Sequence, residues 1–484
     1  MKHWLSIGLF VTILALLLPL GMAQDVSKGS ITGVVRDSTG AVVPDANVTL
    51  SSPYGEKKTK TNSIGEYLFQ GLQPGPDYAV SVDKTGFTTA KTAGLNISLN
   101  QRATADLTLQ VGTTTQTVDV VSSGTDTIDL SSTTVGANLN ETLYKNVAAG
   151  RNISSIINFA PGVTSSQGAG IANPSINGAS GLENEYIING SDVTDSGYGG
   201  FGTYSPIFGA LGSGVNFDFI QEIQVKTGGF EAQYGQALGG VVNVITKSGS
   251  NTLHGSLYGY LAPQQFEATR PNANPLLVTK SDYREHQGTY DFGADIGGPI
   301  KKDKLFFYGG INPTFARSYD IADPAFANYA LGTQVLKTFT ANYTGKLNWN
   351  ISSKHSLEGT VFGDPATTNA QYWRGGGPDS QPVGKPTDNL AVSSLDYGSR
   401  TWSARYTGAL TPTWIVTADY ADHHNHLTES PLHNGYRVTD NTLLQAGTGG
   451  TITYGGLGLL QNTESLNHIF TVSSSHIFTL FGGH

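Results

Sequence analysis

Apolar and polar residues alternate with a period of two along most of this chain, and that alternation predicts strands. The pattern changes scale along the sequence. Between residues 29 and 111 the strands are short and cut by turn residues. Ile31-Thr32-Gly33-Val34-Val35 meets Asp37-Ser38-Thr39-Gly40, and Ala46 to Leu50, Gly65 to Phe69 and Tyr78 to Val82 follow at regular spacing. Such spacing predicts a small antiparallel sandwich. From 130 to 247 a helical stretch is predicted over Leu143 to Phe159, closing in Ala160-Pro161-Gly162-Val163, with glycine-punctuated strands after it. From 248 onward the alternation lengthens. Phe339, Ala341, Tyr343, Leu347 and Trp349 share one face, while Thr338, Thr340, Asn342, Thr344, Lys346 and Asn348 share the other.

Tyr290 to Ile296 repeats the two-faced pattern, as do Trp402, Ala404 and Tyr406, and then Trp414, Val416, Ala418 and Tyr420. An apolar face with aromatic ends opposite a polar one is what a strand needs when lipid lies on one side and a lumen on the other. The connections agree. Tight ones at 297–304, 350–355 and 411–413 alternate with long polar ones at 262–281, 312–336, 364–395 and 421–464, as short periplasmic turns and long outer loops do. A soluble sandwich also alternates, but does not gather aromatics at strand ends between such unequal loops.

The start of the chain adds an export signal. Lys2 and His3 precede a largely apolar run from Leu5 to Leu20, and Gly21-Met22-Ala23 follows. That run is shorter than the ~20 apolar residues of a spanning helix. It predicts a cleaved signal peptide over 1–23.

Composition narrows the chemistry. The 484 residues include no cysteine, which excludes a lipoprotein anchor, a thiolate metal site and a cysteine nucleophile. A formal net charge of -9, without any Lys/Arg-rich run, argues against nucleic acid as a partner. Gly197-Tyr198-Gly199-Gly200-Phe201-Gly202 spells the dinucleotide fingerprint, yet no helix-periodic run or βαβ unit surrounds it, so it reads as a loop. His426 and Glu429 have the spacing of two zinc ligands on a helix, but sit in a polar segment read as a solvated loop. No catalytic constellation, cofactor site or metal site is predicted, and the chain is not expected to be an enzyme.

Two stretches resemble known families. Gly33-Val34-Val35-Arg36-Asp37, Val43 to Val48 and Thr61 to Tyr67, with Gly71-Leu72 after them, resemble the carboxypeptidase regulatory-like domain, which implies a transthyretin-like β-sandwich without catalysis. Further on come Ser175-Ile176-Asn177-Gly178, Tyr186 to Gly190, Phe219 to Val225, Ala232 to Gly235 and Gly239 to Lys247. In that order they resemble the plug domain of TonB-dependent receptors, and with Gly297 to Phe307 the wording is similar to the Oar-like branch. Two positions depart from the wider family: Asn177 stands where Arg is frequent, and Asn189 where Asp is frequent.

The resemblance implies a mainly β chain with five parts: signal peptide 1–23, transthyretin-like sandwich 29–111, linker 112–129, α/β plug domain 130–247, and the N-terminal part of a transmembrane antiparallel β-barrel over 248–484. It implies an outer-membrane receptor of the Gram-negative type that imports an unidentified ligand, whether glycan fragment, peptide or metal chelate, with TonB as its energy-coupling partner and outer-membrane lipid around it. In the linker, Thr117, Val118, Asp119, Val120 and Val121 resemble the TonB box, a segment that pairs as an added strand. Tyr198, Phe201 and Tyr204 would stand at the outward apex of the plug as substrate-contact candidates. The residues after the plug leave room for about ten strands of ~10 residues. The family's barrel has more strands, and Leu480 to His484 lacks a terminal aromatic strand, so a truncated chain and an open barrel are expected. The competing reading is a surface adhesion or matrix protein without transport.

Overall fold

The computed structural model describes residues 27–112, 117–121, 135–147, 150–165, 173–205, 208–212, 214–230, 234–235, 237–266, 284–321, 333–371, 380–382, 393–411, 414–431, 434–440, 451–455 and 460–476. The expected signal peptide lies outside them.

The first module packs two sheets face to face. Strands β1 (Gly29–Asp37), β4 (Glu66–Leu72), β7 (Arg102–Thr104) and β8 (Leu107–Leu109) form one. Strands β2 (Asn47–Ser52), β3 (Gly55–Lys60), β5 (Gly75–Asp83), β6 (Thr89–Ile97) and β9 (Thr117–Val121) form the other, in the order β3-β2-β5-β6-β9. Alternation puts Ile31, Val35, Val48, Leu50, Phe69, Val80 and Val82 into the shared core. The TonB-box candidate is therefore an edge strand, running parallel to β6 in the register Ala90 to Val118 and Thr92 to Val120.

The second module is built on β10 (Val135–Asn140), β13 (Glu185–Ile188), β14 (Ser191–Asp192), β17 (Ile220–Gly228) and β18 (Val241–Thr246), ordered β10-β17-β18-β13-β14. Small ladders of β11 (Val163–Thr164) with β12 (Ser175–Ile176), and of β15 (Tyr204–Ser205) with β16 (Gly209–Ala210), flank it. The single helix expected over 143–159 is two: α1 (Glu141–Asn146) and α2 (Ile153–Ile157). The reason is local. Asn140 caps the first through Leu143 N, and Asn152 starts a new helix by accepting from Ser155 N, so the chain restarts instead of continuing.

The third module is a sheet of long strands. Its path runs β19 (His254–Pro263), β20 (Arg284–Lys301), β21 (Leu305–Ile321), β22 (Thr333–Asn350), β23 (His355–Gly363), β26 (Ser393–Thr411), β27 (Trp414–Pro431) and β30 (Asn462–His476), all antiparallel. β24 (Ala366–Gln371) pairs with β22 and β26, as β23 does, so β23 and β24 are one strand position broken at Asp364-Pro365. A small sheet of β25 (Ser380–Pro382), β28 (Arg437–Asp440) and β29 (Thr451–Gly455) lies in the connections. Among the described residues β19 and β30 end the path, so the wall is an open arc, as expected.

The faces follow the alternation. Phe292, Phe339, Leu347, Trp349, Trp402 and Phe470 point outward, with Phe470 72 % exposed, while Asn342, Thr344 and Lys346 are buried on the concave side. The strands are longer than expected. β21 and β22 run well into the connection read at 312–336, and β27 runs through 421–431, so the histidine segment is strand and not loop.

Candidate functional site

The plug sits against the concave wall, and polar groups make much of the seam, with apolar contacts at Phe362 and where Phe208 and Leu211 meet Leu395, Tyr397 and Leu427. At its tight-turn end, the hairpin between β13 and β14 turns through Asn189 and Gly190 with φ of 51° and 83°. Such a two-residue turn requires left-handed backbone at both positions, which Asn and Gly adopt most readily. The Asn189 side chain ties back to the end of β18: its Oδ1 accepts from Thr246 N and its Nδ2 donates to Thr246 Oγ1, both at 3.0 Å. The turn then meets the wall. Lys346 Nζ donates to Asn189 Oδ1 at 3.0 Å and to Thr246 O at 3.1 Å, Arg405 Nη2 donates to Gly190 O at 2.7 Å, and Ser191 Oγ donates to Asp419 at 2.8 Å. A Cβ on Gly190 would lie 1.9 Å from the Arg405 guanidinium, so any larger residue there would push that side chain off the Gly190 carbonyl.

Arg151 clamps a second point. Its guanidinium reaches Asp218 of the plug at 2.5 Å and Asp291 of β20 at 3.4 Å, and lies 3.1 Å from the centroid of the Tyr260 ring. Burial raises the Asp218 carboxyl above its ordinary value although Arg151 pulls it down. Higher on the wall, Asp364 accepts from Gly214 N of the plug at 2.8 Å, and Asn425 Nδ2 donates to Asp195 at 3.1 Å.

The glycine-rich loop faces the long-connection end. Gly199, Gly200 and Gly202 all take positive φ, and the next regular element is the two-residue strand β15, not a helix. Tyr198 is 42 % exposed and meets Tyr204 edge-on at 5.6 Å between ring centroids. Phe201 is placed differently. It is buried in the plug core and stacks on Tyr186 at 5.2 Å, with its amide donating to Asn173, so its ring packs inside the plug instead of presenting a face outward. Ser196 and Ser205 contact Ser465 and Gln461 beside them.

Strand geometry also separates His426 from Glu429. Three residues apart on a strand, they point to opposite faces: His426 Nε2 meets Asp396 at 2.7 Å, while buried Glu429 accepts from Gln461 N at 3.0 Å. Among the described residues no group of three His, Cys, Asp or Glu side chains is arranged to hold a metal.

The sandwich completes the assembly at the tight-turn end. Asn251 N donates to Pro53 O at 2.8 Å, Asn350 Nδ2 to Tyr54 O at 3.1 Å, and Lys28 pairs with Glu358 at 2.8 Å. On the plug side the Leu99 backbone is held by Glu222, Asn138 and Gln224. Lys28, Arg151, Lys346, Glu358, Arg405 and Asp419 were not singled out as interface residues from the sequence. Each is a lone charge in a polar stretch, and its partner lies far away in the chain.

Family models match all three modules: the carboxypeptidase regulatory-like domain over 30–110, the TonB-dependent receptor plug domain over 129–241 and an outer membrane beta barrel domain over 245–319. The chain carries the domains of a TonB-dependent receptor. The TonB-dependent transporter Oar of Myxococcus xanthus is 29% identical to this chain over 381 residues, covering 72% of the chain and 34% of the relative. The ferrienterobactin receptor of Escherichia coli (strain K12) is 26% identical over 219 residues, covering 41% of the chain and 26% of the relative. The outer membrane transporter YddB from Escherichia coli shares the fold at a TM-score of 0.53 and 13% identity, over 72% of this chain and 46% of that one. The chain thus spans about a third of the length of the Myxococcus relative. Its plug and strand wall are those of an outer-membrane protein of the Gram-negative type.

Proposed function

We propose that this chain acts in active import across an outer membrane: ligand is captured on the long-connection side, and TonB draws on the plug to open a path. The observation that carries this reading is the chemistry of the plug–wall seam. Hydrogen bonds and ion pairs such as Ser191–Asp419, Asn189–Lys346 and Arg151–Asp291 hold it. Polar contacts exchange readily for water, so the polar part of this seam lets a folded plug shift at the cost of only small apolar patches such as that at Leu395, Tyr397 and Leu427.

The segment Thr117 to Val121 is proposed as the TonB box. Support comes from its position before the plug and from its being an edge strand, with β6 on one side and no strand partner on the other among the described residues. Added strands bind through main-chain bonds, so an edge strand suits the task. Tyr198 and Tyr204 are proposed to meet the ligand, whether glycan fragment, peptide or metal chelate, since aromatic faces stack on rings and cover apolar groups. No catalytic role is proposed for any residue, in keeping with relatives that are transporters and receptors by name.

The test is capture of the TonB periplasmic C-terminal domain by the full-length mature protein. Binding is expected, and Val118→Pro and Val120→Pro are expected to abolish it by removing ladder donors. Binding that survives both prolines would take the box assignment away. No binding by the unmodified protein would take away the import reading itself.

A further inference from the structure

One row of charge runs around the concave wall near its tight-turn end. Lys346, Glu358, Arg405 and Asp419 come from the neighbouring strands β22, β23, β26 and β27, and all four are buried. Glu358 lies directly across from Arg405, and Arg405 directly across from Asp419. Lys346 Nζ is 3.6 Å from Glu358 and Arg405 Nε is 3.6 Å from Asp419, so sign alternates along the row and the wall's own ions balance as two pairs.

Both of the other modules dock on this row, the plug chiefly on its cations, beside the Ser191 hydroxyl that donates to Asp419, and the sandwich chiefly on its anion Glu358. The plug brings acceptors to the cations: Asn189 Oδ1 and Thr246 O to Lys346, and Gly190 O to Arg405. The sandwich brings donors to the anion. Lys28 Nζ reaches Glu358 Oε2 at 2.8 Å and Gln73 Nε2 reaches the same oxygen at 3.1 Å, while Ser27 Oγ accepts from Arg405 Nη1 at 2.6 Å.

We propose that this row couples the two modules, so that the seated plug holds the sandwich in the barrel mouth and the seated sandwich holds the plug in the lumen. With Lys28 in place three cations share two carboxylates. Glu358 is available to Lys28 because plug oxygens stand closer to Lys346 than Glu358 does. Withdrawing the plug removes both of those acceptors, so Lys346 turns back to Glu358, and Arg405 loses Gly190 O. Lys346 lies on the Oε1 side of Glu358 and Lys28 on Oε2, so a Lys346 drawn closer neutralises charge that Lys28 depends on, in a mouth where entering water and salt screen the attraction. Coupling of this kind is reciprocal: whatever the plug contributes to sandwich docking, the sandwich contributes to plug seating. The contacts among the three modules carry this coupling without the ligand or the TonB box.

Hydrogen exchange on the full chain in detergent tests it, comparing the unmodified protein with Lys28→Ala and Lys28→Arg. The readout is the plug turn Asn189–Ser191 and the end of β18 at Thr246, with which Lys28 makes no hydrogen bond among the described residues. Lys28→Ala is expected to speed exchange there about five- to tenfold, within the ordinary range of coupling between sites. Lys28→Arg is expected to restore protection, and protected β1–β4 amides show that the sandwich stays folded. If the seam at Tyr54 and Asn350 opens but the plug amides do not change, Lys28 is a local tie and the coupling is wrong. If neither changes, Lys28 does not hold the sandwich and the proposal fails altogether.

Discussion

Glu222 meets the Leu99 amide at 3.1 Å with almost no water around its carboxyl, which is 3 % exposed as a residue. Burial raises its pKa from 4.5 to about 7, against the smaller opposing effect of the Leu99 hydrogen bond. The sign follows from proton linkage. The docked form holds a proton that the undocked form has released, so Glu222 stabilises the sandwich–plug contact fully below pH 4.5, and that contribution is lost as pH rises through about 7. Denaturant unfolding of the full chain at pH 5 and pH 8 is expected to show sandwich undocking easier at pH 8, by up to about 3 kcal/mol. Glu222→Gln should flatten the difference, and a Gln variant with unchanged pH dependence would assign it elsewhere. Residues of this kind are hidden in a sequence. Phe219 to Val225 was legible as a plug strand, but the Leu99 backbone that packs against the Glu222 carboxyl comes from 123 positions away. Asn177 and Asn189 were more legible than they looked. As departures from a family pattern they put ion pairs in doubt, but as Asn-Gly pairs with φ near +52° they state the turn they make.

At the scale of elements, the broken position between β23 and β24 has an identifiable cause and a consequence. Pro365 has no amide to give to a ladder, and the strand resumes at Ala366 with the Asp364 carboxylate turned to use. Asp364 accepts from Ser399 N at 2.8 Å, from Ser399 Oγ at 2.7 Å and from Gly214 N of the plug at 2.8 Å. Asp364→Ala leaves these buried donors without that acceptor, at about 1–3 kcal/mol for each. A thermal melt of the full chain should show a clear loss of stability, with Asp364→Asn intermediate because an amide oxygen replaces only part of the acceptor capacity. An unchanged melt for the alanine variant would mean that water serves these donors equally well. Wall strands were legible where lipid imposes a pattern. Phe339, Leu347 and Trp349 outward against Asn342, Thr344 and Lys346 inward is a period of two with strong contrast. Their outer halves were not, because above the lipid both faces of a strand are polar. That is why Asp422 to His426 read as loop although it pairs with β26 and β30 throughout. The split of the plug helix was missed for a related reason: the period suits a helix, and only Asn152, placed as a cap, marks the restart.

For the whole molecule, the order of modules was legible and their arrangement in space was not. Sandwich, plug and wall follow one another in the chain, but nothing local says that Lys28 lies against Glu358, 330 positions later. The arrangement gives the molecule two unlike ends. Tight turns such as the one at Asp303, which Asn251 contacts at 2.7 Å, share one end with the sandwich, while the Tyr198 loop stands toward the long connections. In an outer membrane the tight-turn end faces the periplasm. Trypsin added to intact cells should therefore cut within the long connections, whose sequences contain Lys280 and Arg374, neither followed by proline. It should spare Lys301, Lys302 and Lys304 at the tight turn, and Lys58 and Lys60 on the sandwich, until the outer membrane is permeabilised. An adhesive surface protein makes a different prediction, because a matrix-facing sandwich would be cut at Lys58 and Lys60 on intact cells. Peptide mapping of the first cuts separates the two. Early cleavage of the sandwich on intact cells would reverse the orientation and remove the basis for import, whereas cleavage confined to the long connections requires the sandwich and tight turns to lie on the protected side, where TonB acts.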